Sequence, residues 1–312
     1  MVDAICLEKI RNKNGTIIAY KIMSNTDVRV VNAKEIKDAI RNNKINIINL
    51  RLTSDNRLVD KGNSDDTILK ISDNVNFSGG TPGTGKKFLA LRKRDGRTGV
   101  AKFSVSLDGC DNINEILCYE LGKLLNVDVC EASKEVYNHS NGWIISLFNY
   151  DWINDKLETG ESLFGNGRQF IKSFNIKNLA SRVSDDAVVS FIKMVIFDTI
   201  TLQEDRHINN FGFIGNKMYS LFDNGRCLMW DQSDEYIIEQ LRNGLISLTI
   251  TNEHGYGFSY LDDIGYDKCR KLVTNNLKYD DFYRIVSKYY KTDRAKLLST
   301  IMFGLYKLIL RY

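Results

Sequence analysis

The first 60 residues alternate between strand-like and helix-like patterns of apolar positions. Apolar and polar residues alternate around 16–23 (TIIAYKIM), and 45–52 (INIINLRL) is also strand-like. The segment between them, 33–43 (AKEIKDAIRNN), has helical spacing. These patterns predict a small α/β module over residues 1–62, ending in a polar stretch that indicates a boundary or a long surface loop.

Strand signals dominate the next part of the chain, with one helix predicted near 113–126. Two alternating runs in 87–105 (KFLALRKRDGRTGVAKFSV) are separated by Asp95-Gly96, a dipeptide that favours tight turns. We therefore predict a hairpin here, within a strand-rich module over residues 63–150.

The remaining residues, 151–312, have a mainly helical pattern. In 184–201, Ser184 is a predicted N-cap with two acids in the first turn, and apolar positions follow at helical spacing. The C-terminal run 295–312 is strongly apolar, but Lys307 interrupts it and it is shorter than the ~20 residues that span a bilayer. It predicts a packed helix and no membrane anchor. A strand-rich half joined to a helix-rich half is an α+β arrangement that often leaves a ligand-binding cleft.

The amino-acid composition limits the classes of protein to which the chain can belong. Hydrophobic residues make up 43% and charged residues 26%, as in ordinary globular proteins. The 43 basic and 39 acidic side chains are spread along the chain, so direct nucleic-acid binding is not expected. The N-terminus lacks the pattern of a secretory signal, which predicts a cytoplasmic protein. Six cysteines without a C-x-x-C pair predict reduced thiols and no structural zinc site.

A glycine-rich run at 80–87 (GTPGTGKK) is similar to a nucleotide-binding P-loop. Lys87 stands where a P-loop has the Mg²⁺-binding hydroxyl, and the run precedes a strand-like segment where a P-loop precedes a helix. A glycine-rich loop that covers phosphates from a β-hairpin fits this context better, and a P-loop NTPase stays as an alternative. The candidate phosphate-contacting residues are Gly80, Gly83, Gly85 and Lys86.

A second motif lies between residues 198 and 225 (DTITLQEDRHINNFGFIGNKMYSLFDNG). Asp205 and Asn210 have the D-x-x-x-x-N spacing of a kinase catalytic loop, and Asp223 follows the strand-like run MYSLF. Phosphoryl transfer uses this set, with one carboxylate for the substrate hydroxyl and an amide oxygen and a second carboxylate for Mg²⁺. A solvated loop could also produce the spacing.

The strand-rich module adds a lysine and a glutamate. Lys102 shares a strand face with Val100 and Ser104, and a lysine in an apolar strand needs water or an anion. Glu115 lies in the first turn of the predicted helix, where it also faces the helix dipole. Kinases place the α- and β-phosphates with a strand lysine paired to a helix glutamate.

Together the segments GKKFLAL, GVAKF, NEILCYELGKLL, EDRHINNFGF and SLFDNG resemble the HipA-like serine/threonine kinases, in particular the CtkA-like branch, over roughly residues 76–310. The resemblance implies a two-lobed protein-kinase-like fold, with a strand-rich N-lobe, a helical C-lobe and the small α/β module as an N-terminal extension. It also implies an ATP- and Mg²⁺-dependent transferase that acts on Ser or Thr hydroxyls of a protein substrate.

The resemblance assigns roles by position. Asp205 would be the catalytic base, Asn210 and Asp223 the metal ligands, Lys102 the phosphate contact and Glu115 its partner. His207 would support the loop. In the family the glycine-rich loop can be autophosphorylated and an antitoxin-like partner protein is common, so the candidate autophosphorylation sites are Ser78, Thr81 and Thr84.

Two departures and several alternatives accompany this resemblance. Gln203-Glu204 stands where the family often has Gly-Asn, and the glycine-rich loop contains Pro82. The D-R-H-x-x-N string is shared with phosphatidylinositol kinases. A phosphatidylinositol-type or small-molecule kinase and a nucleotide-binding pseudokinase therefore stay open beside the protein kinase.

Overall fold

The structure is a computed structural model of the 312-residue chain. It describes residues 2–24, 27–47, 50–60, 65–72, 86–106, 108–150, 155–165, 179–242, 264–274 and 276–311. The boundaries predicted at residues 62 and 150 adjoin 61–64 and 151–154, which lie outside these ranges. Two compact units emerge, the first formed by Met1–Val75, Lys87–Lys102 and Lys134–Asp155, and the second by Asn76–Lys86, Phe103–Ser133 and Lys156–Tyr312.

The N-terminal part of the first unit is a four-stranded sheet with one helix. The strands are β1 (Val2–Arg11), β2 (Ile17–Ser24), β3 (Asp27–Asn32) and β4 (Ile45–Ile47), in the order β3-β2-β1-β4, and the helix is α1 (Ala33–Arg41). β1 pairs antiparallel with β2 and parallel with β4, as an α/β crossover through α1 allows. A core of mostly aliphatic side chains includes Ile22, Ile36 and Ile47.

The helix predicted in this region is confirmed, whereas the single strand predicted over 45–52 is wrong. β4 covers Ile45–Ile47, whereas β5 (Leu50–Leu52) pairs with β6 (Leu58–Asp60) in a separate two-stranded sheet. One strand-like run therefore contributes to two sheets.

The rest of the first unit is built on a five-stranded sheet. Its order is β10-β11-β9-β8-β7, with β7 (Ile68–Ser72), β8 (Lys87–Arg92), β9 (Thr98–Phe103), β10 (Ala132–Tyr137) and β11 (Ser140–Leu147). β8 and β9 form the predicted antiparallel hairpin. Its turn places Gly96 at φ +72°, where glycine carries no Cβ penalty, and Asp95 accepts from the Arg92 side chain at 3.0 Å. Gly99 lets the strands approach, because a Cβ there would lie 2.2 Å from the Ser146 carbonyl oxygen.

The second unit is mainly helical and carries one small sheet. The helices are α2 (Cys110–Leu125), α3 (Gly160–Phe164), α4 (Asp185–Thr201), α5 (Asp234–Arg242), α6 (Tyr266–Leu272), α7 (Tyr279–Val286) and α8 (Thr292–Arg311). The sheet has the order β12-β13-β14, with β12 (Leu157–Thr159), β13 (Gly212–Ile214) and β14 (Lys217–Met218). Side chains from α2, α4, α7 and α8 form the core, in which Phe191, Phe197, Phe282 and Tyr306 are fully buried.

α4 begins as predicted. The Ser184 hydroxyl accepts from the Ala187 N–H at 3.2 Å, which satisfies one free donor of the first turn. Most of the helix from Phe191 to Thr201 is buried. The predicted C-terminal helix is confirmed as α8. Within the part of the chain that the structure describes, no helix combines the length and apolarity that crossing a membrane requires.

α2 begins earlier than predicted. Gly109 at φ +76° starts the helix at Cys110, and the Asp111 carboxylate accepts from the Val105 N–H at 2.8 Å and the Ser106 hydroxyl at 2.7 Å. Asp111 is thus the first-turn acid, and the placement of Glu115 in the first turn is wrong. Glu115 is the sixth residue of α2 and is 4% exposed, so it lies beyond the first turn, where an acid interacts with the helix dipole.

Candidate active site

The candidate site forms where α4 ends. Leu202 adopts φ +55° and its N–H caps the carbonyls of Asp198 and Thr199, so that the chain turns out of the helix. Residues 203–211 then form a loop without regular structure that leads into β13. The motif residues Asp205 and Asn210 lie in this loop.

Arg206 is the centre of the loop and is fully buried. Its Nε and Nη2 donate to the two carboxylate oxygens of Asp198 at 3.0 and 3.1 Å. Nη1 donates to the carbonyls of Asn210 and Phe222 at 2.7 and 2.6 Å, and Nη2 donates to Oδ1 of Asn224 at 2.5 Å. All five N–H donors of the guanidinium are therefore used. One side chain holds the end of α4, the loop and the segment around residue 223 together.

The Asp198–Arg206 pair is a buried ion pair. Burial raises the pKa of the Asp198 carboxyl, while the charge and hydrogen bonds of Arg206 oppose that rise. A buried charge of this kind is tolerated only when it is paired and hydrogen-bonded, as both groups are here. Each of the two buried groups is therefore tolerated only because the other is present.

Gln203 connects the two carboxylate-bearing segments. Its Oε1 accepts from the backbone N–H of Asp205 at 3.0 Å, and its Nε2 donates to the carbonyl of Asp223 at 3.4 Å. The side chain is buried, with 3% of its surface exposed. Gln203 thus ties the backbone of Asp205 to that of Asp223.

Asn210 is fixed against the same loop. Its Nδ2 donates to the Asp205 carbonyl at 2.7 Å, so the amide is oriented and its Oδ1 is the atom left to accept a cation. The Asp205 carbonyl also accepts from the His207 N–H at 2.9 Å. Nδ1 of His207 accepts from the Asn209 N–H at 3.1 Å. The His207 ring therefore contacts the backbone of its own loop, and its supporting role stays a prediction.

Asp223 occupies an unusual backbone conformation. Its φ of +58° lies in the left-handed region, which aspartate enters more readily than most non-glycine residues. Arg206 holds the residues on both sides, and Oε2 of Glu115 accepts from the N–H of Asn224 at 3.0 Å. Asn114 of α2 donates to the carbonyls of Gly225 and Cys227 at 3.1 and 2.7 Å. These contacts fix the backbone on both sides of Asp223.

The strand-like run predicted before Asp223 is shorter than expected. β14 covers Lys217–Met218 alone, and Leu221 then forms an isolated parallel bridge with Val129. The segment that carries Asp223 is therefore held mainly by side chains.

The surroundings of Asp205 are charged. Nη1 of Arg226 lies 3.6 Å from Oδ2 of Asp205, and the guanidinium of Arg226 lies over the Trp230 ring at 5.6 Å. Burial raises the pKa of the Glu204 carboxyl to about 7, and the nearby carboxylates of Asp231 and Asp205 add to the rise while Arg226 opposes it. The loop therefore contains a carboxyl that titrates close to neutral pH.

Two more of the predicted residues, Lys102 and Lys86, belong to the described part of the chain. Lys102 is half-buried on β9 of the first unit, opposite Lys87 on β8. Lys86 is exposed, and its carbonyl accepts from the Phe103 N–H at 2.9 Å. The pairing of Lys102 with Glu115 stays a prediction. Residues outside the described part of the chain include Ser78, Gly80, Thr81, Gly83, Thr84 and Gly85.

Among the described residues, no three His, Cys, Asp or Glu side chains converge on a metal position. Asn210 and Asp223 offer one amide oxygen and one carboxylate. This set fits Mg²⁺, which protein sites commonly hold by one or two side chains, with substrate phosphates and water completing the octahedron. It does not fit zinc, which needs three or four N, S or O side chains.

Sequence reasoning missed Gln203, Arg206 and Arg226 as parts of the site. From the sequence, Gln203 is only a departure from the family pattern. An arginine in a polar loop is normally exposed, so the sequence contained no signal for the complete burial of Arg206.

No protein-family model and no curated protein sequence matches the chain. A solved structure does match it, the crystal structure of the Helicobacter pylori proinflammatory kinase CtkA, with a TM-score of 0.57. The match covers 75% of this chain and 93% of CtkA, at 16% sequence identity. At that identity the similarity is one of fold. The predicted α+β, kinase-like fold is therefore confirmed, and the resemblance to CtkA holds at the level of structure.

Proposed function

We propose that the chain is an ATP- and Mg²⁺-dependent serine/threonine protein kinase of the HipA-like type. The kinase-like fold supports this function, and so does the order of Asp205, Asn210 and Asp223 along the chain. The observation that carries the proposal is the pair of buried side chains, Gln203 and Arg206, that bind the three segments bearing these residues. A solvated loop needs no such tether.

The proposed residues divide the work of phosphoryl transfer. Asp205 accepts the proton of the substrate hydroxyl, whose oxygen bonds to the γ-phosphorus as the bond from that phosphorus to ADP breaks. Asn210 and Asp223 would hold Mg²⁺, which neutralises phosphate charge when bound. Lys102 would contact the phosphates, with Glu115 as its partner. The glycine-rich loop, through Gly80, Gly83, Gly85 and Lys86, would cover them.

In the proposed site, one set of side chains positions the backbone and another set takes part in the reaction. The buried hydrogen bonds of Arg206 and Gln203 reach backbone atoms of the catalytic loop and of the segment around residue 223. The carboxylate of Asp205 is 27% exposed and can meet a substrate. Preorganised groups of this kind need no rearrangement when charge develops during the reaction.

The direct test is transfer from γ-labelled ATP in the presence of Mg²⁺, with Asp205→Asn as the matched control. We expect label on serine or threonine that disappears in the control. Mapping of the label to Ser78, Thr81 or Thr84 would indicate autophosphorylation of the glycine-rich loop. Co-purification would show whether an antitoxin-like partner protein exists.

The other outcomes separate the alternatives. Label on inositol lipids or small alcohols, with none on protein, would replace the proposal by the phosphatidylinositol-type or small-molecule kinase. ATP binding without transfer to any acceptor would indicate a pseudokinase. If Lys86→Ala abolished ATP hydrolysis while Asp223→Asn did not, the P-loop alternative would take its place.

A further inference from the structure

A half-exposed cation lies beside the proposed base. Nη1 of Arg226 is 3.6 Å from Oδ2 of Asp205, and the two side chains are 45% and 27% exposed. Arg226 follows Asp223 by three residues, and neither the motif spacing nor the family resemblance gives it a role. Its charge therefore sits at the point where the substrate hydroxyl would bind.

The base of the Arg226 side chain is fixed while its head group reaches solvent. The Arg226 carbonyl accepts from the Glu204 N–H at 3.0 Å, which ties its backbone to the residue next to Asp205. The guanidinium lies over the ring of Trp230 at 5.6 Å, a geometry in which an aromatic face supports a cation. A side-chain rotation can move the head group without moving the loop.

The other basic groups of this loop are already engaged. Arg206 is fully buried and all five of its donors are used within the protein. His207 accepts a hydrogen bond at Nδ1 from the Asn209 N–H, so its ring is also used within the loop. Phosphoryl transfer spreads negative charge over three oxygens, and a cation placed against them is worth ~10³–10⁵ in rate in other phosphotransferases.

Distances place Arg226 within reach of those oxygens. A hydroxyl bound to Asp205 lies ~2.6–3.2 Å from the carboxylate, and the phosphorus it attacks lies ~3–3.5 Å further on. The transferred group is thus roughly 6 Å from Asp205, within the sweep of an arginine that already contacts the same carboxylate.

We propose that Arg226 is a further catalytic residue, which leaves Asp205 when substrates bind and contacts the oxygens of the transferred γ-phosphoryl group. This inference rests on the proposed phosphotransferase function. Arg226 exchanges no proton in the step and stabilises charge only. In the absence of substrates, its contact with Asp205 holds the base carboxylate in place.

The test compares Arg226→Met and Arg226→Lys with wild type. We expect Arg226→Met to lower kcat ~10²–10³-fold while KM for ATP rises less than ~10-fold. The kcat of Arg226→Lys should lie between those of wild type and Arg226→Met. Arg284→Met is the control, because Arg284 is an exposed arginine of α7 outside the site. An unchanged or higher kcat in Arg226→Met would overturn the inference. If Arg226 only paired with Asp205, removing its guanidinium would leave the Asp205 carboxylate more available to act as the base.

A binding measurement separates this inference from the function on which it rests. Calorimetry with ADP and with a non-hydrolysable ATP analogue should show that wild type prefers the triphosphate and that Arg226→Met loses ~3–10-fold of that preference. An unchanged preference would overturn the proposed contact, even if wild type transferred no phosphate and the kinase proposal failed. Wild type that binds neither nucleotide would overturn both.

Discussion

Replacing Arg206 with methionine removes the guanidinium that joins three segments of the site, while keeping much of its apolar stem. The Asp198 carboxylate would then be buried without its partner, and the carbonyls of Asn210 and Phe222 would each lose a donor. Breaking a buried ion pair by removing one member costs ~3–5 kcal/mol, and each buried acceptor left unpaired adds ~1–3 kcal/mol. We expect Arg206→Met to lower the free energy of unfolding by at least ~4 kcal/mol.

The pH dependence of this loss has a definite sign. Burial already raises the pKa of Asp198, and removing the Arg206 charge that opposes it raises that pKa further. The folded variant then binds the Asp198 proton more tightly than the unfolded chain does. The variant therefore loses stability as the pH rises from the pKa of Asp198 in the unfolded chain to its pKa in the folded variant. The loss of unfolding free energy caused by Arg206→Met should be smaller at pH 5 than at pH 8.

Urea unfolding followed by circular dichroism at the two pH values measures this penalty. Asp198→Asn and the double variant complete a mutant cycle, in which we expect a coupling energy above ~1 kcal/mol because the two groups form two hydrogen bonds. A loss below ~1 kcal/mol for Arg206→Met, or a penalty that does not change with pH, would refute the reasoning.

Three further predictions follow from single contacts. Gln203→Glu keeps the acceptor for the Asp205 N–H, but its carboxylate cannot donate to the carbonyl of Asp223 and is buried without a partner for its charge, so kcat should fall ~5–30-fold and the unfolding midpoint should fall as well; equal kcat would exclude a positioning role. Glu204→Gln removes a carboxyl whose pKa is about 7 when folded against a usual 4.5, so the variant should gain stability relative to wild type between pH 5 and pH 8, a gain that urea midpoints would detect. Gly99→Ala brings a Cβ to within 2.2 Å of a backbone oxygen on β11 and should cost at least ~1–3 kcal/mol, whereas Gly304→Ala, in open space on α8, should gain ~0.5–1 kcal/mol; the opposite order of melting temperatures would contradict both.

The sequence predicted those parts of the fold whose signals are local. α4 was found because Ser184 and the helical spacing that follows lie within one segment, and the β8–β9 hairpin because Asp95-Gly96 separates two alternating runs. Both signals depend on neighbouring residues alone. These signals do not depend on the rest of the chain.

Errors arose where contacts that apolar periodicity does not reveal decide the local structure. α2 starts at Cys110 because Gly109 turns the chain and Asp111 is held by Val105 and Ser106, none of which is an apolar-periodicity signal. The run at 45–52 was divided between two sheets by strand pairings that no short window contains.

The candidate site shows the same division. Asp205, Asn210 and Asp223 could be proposed from spacing, because catalytic loops constrain sequence separation. Arg206 and Gln203 could not be assigned, since their roles depend on partners up to 20 residues away whose positions only the folded chain fixes. The side chains that organise the site were therefore less visible than those proposed to perform its chemistry.

The most direct test of the account is the initial rate of phosphate transfer from γ-labelled ATP, measured across a Mg²⁺ titration for wild type, Asp205→Asn and Asp223→Asn. We predict Mg²⁺-dependent transfer to serine or threonine by wild type, transfer near background for Asp205→Asn, and a higher Mg²⁺ requirement with a lower maximal rate for Asp223→Asn. Equal rates in all three proteins, or no transfer by wild type at any Mg²⁺ concentration, would contradict the proposed kinase.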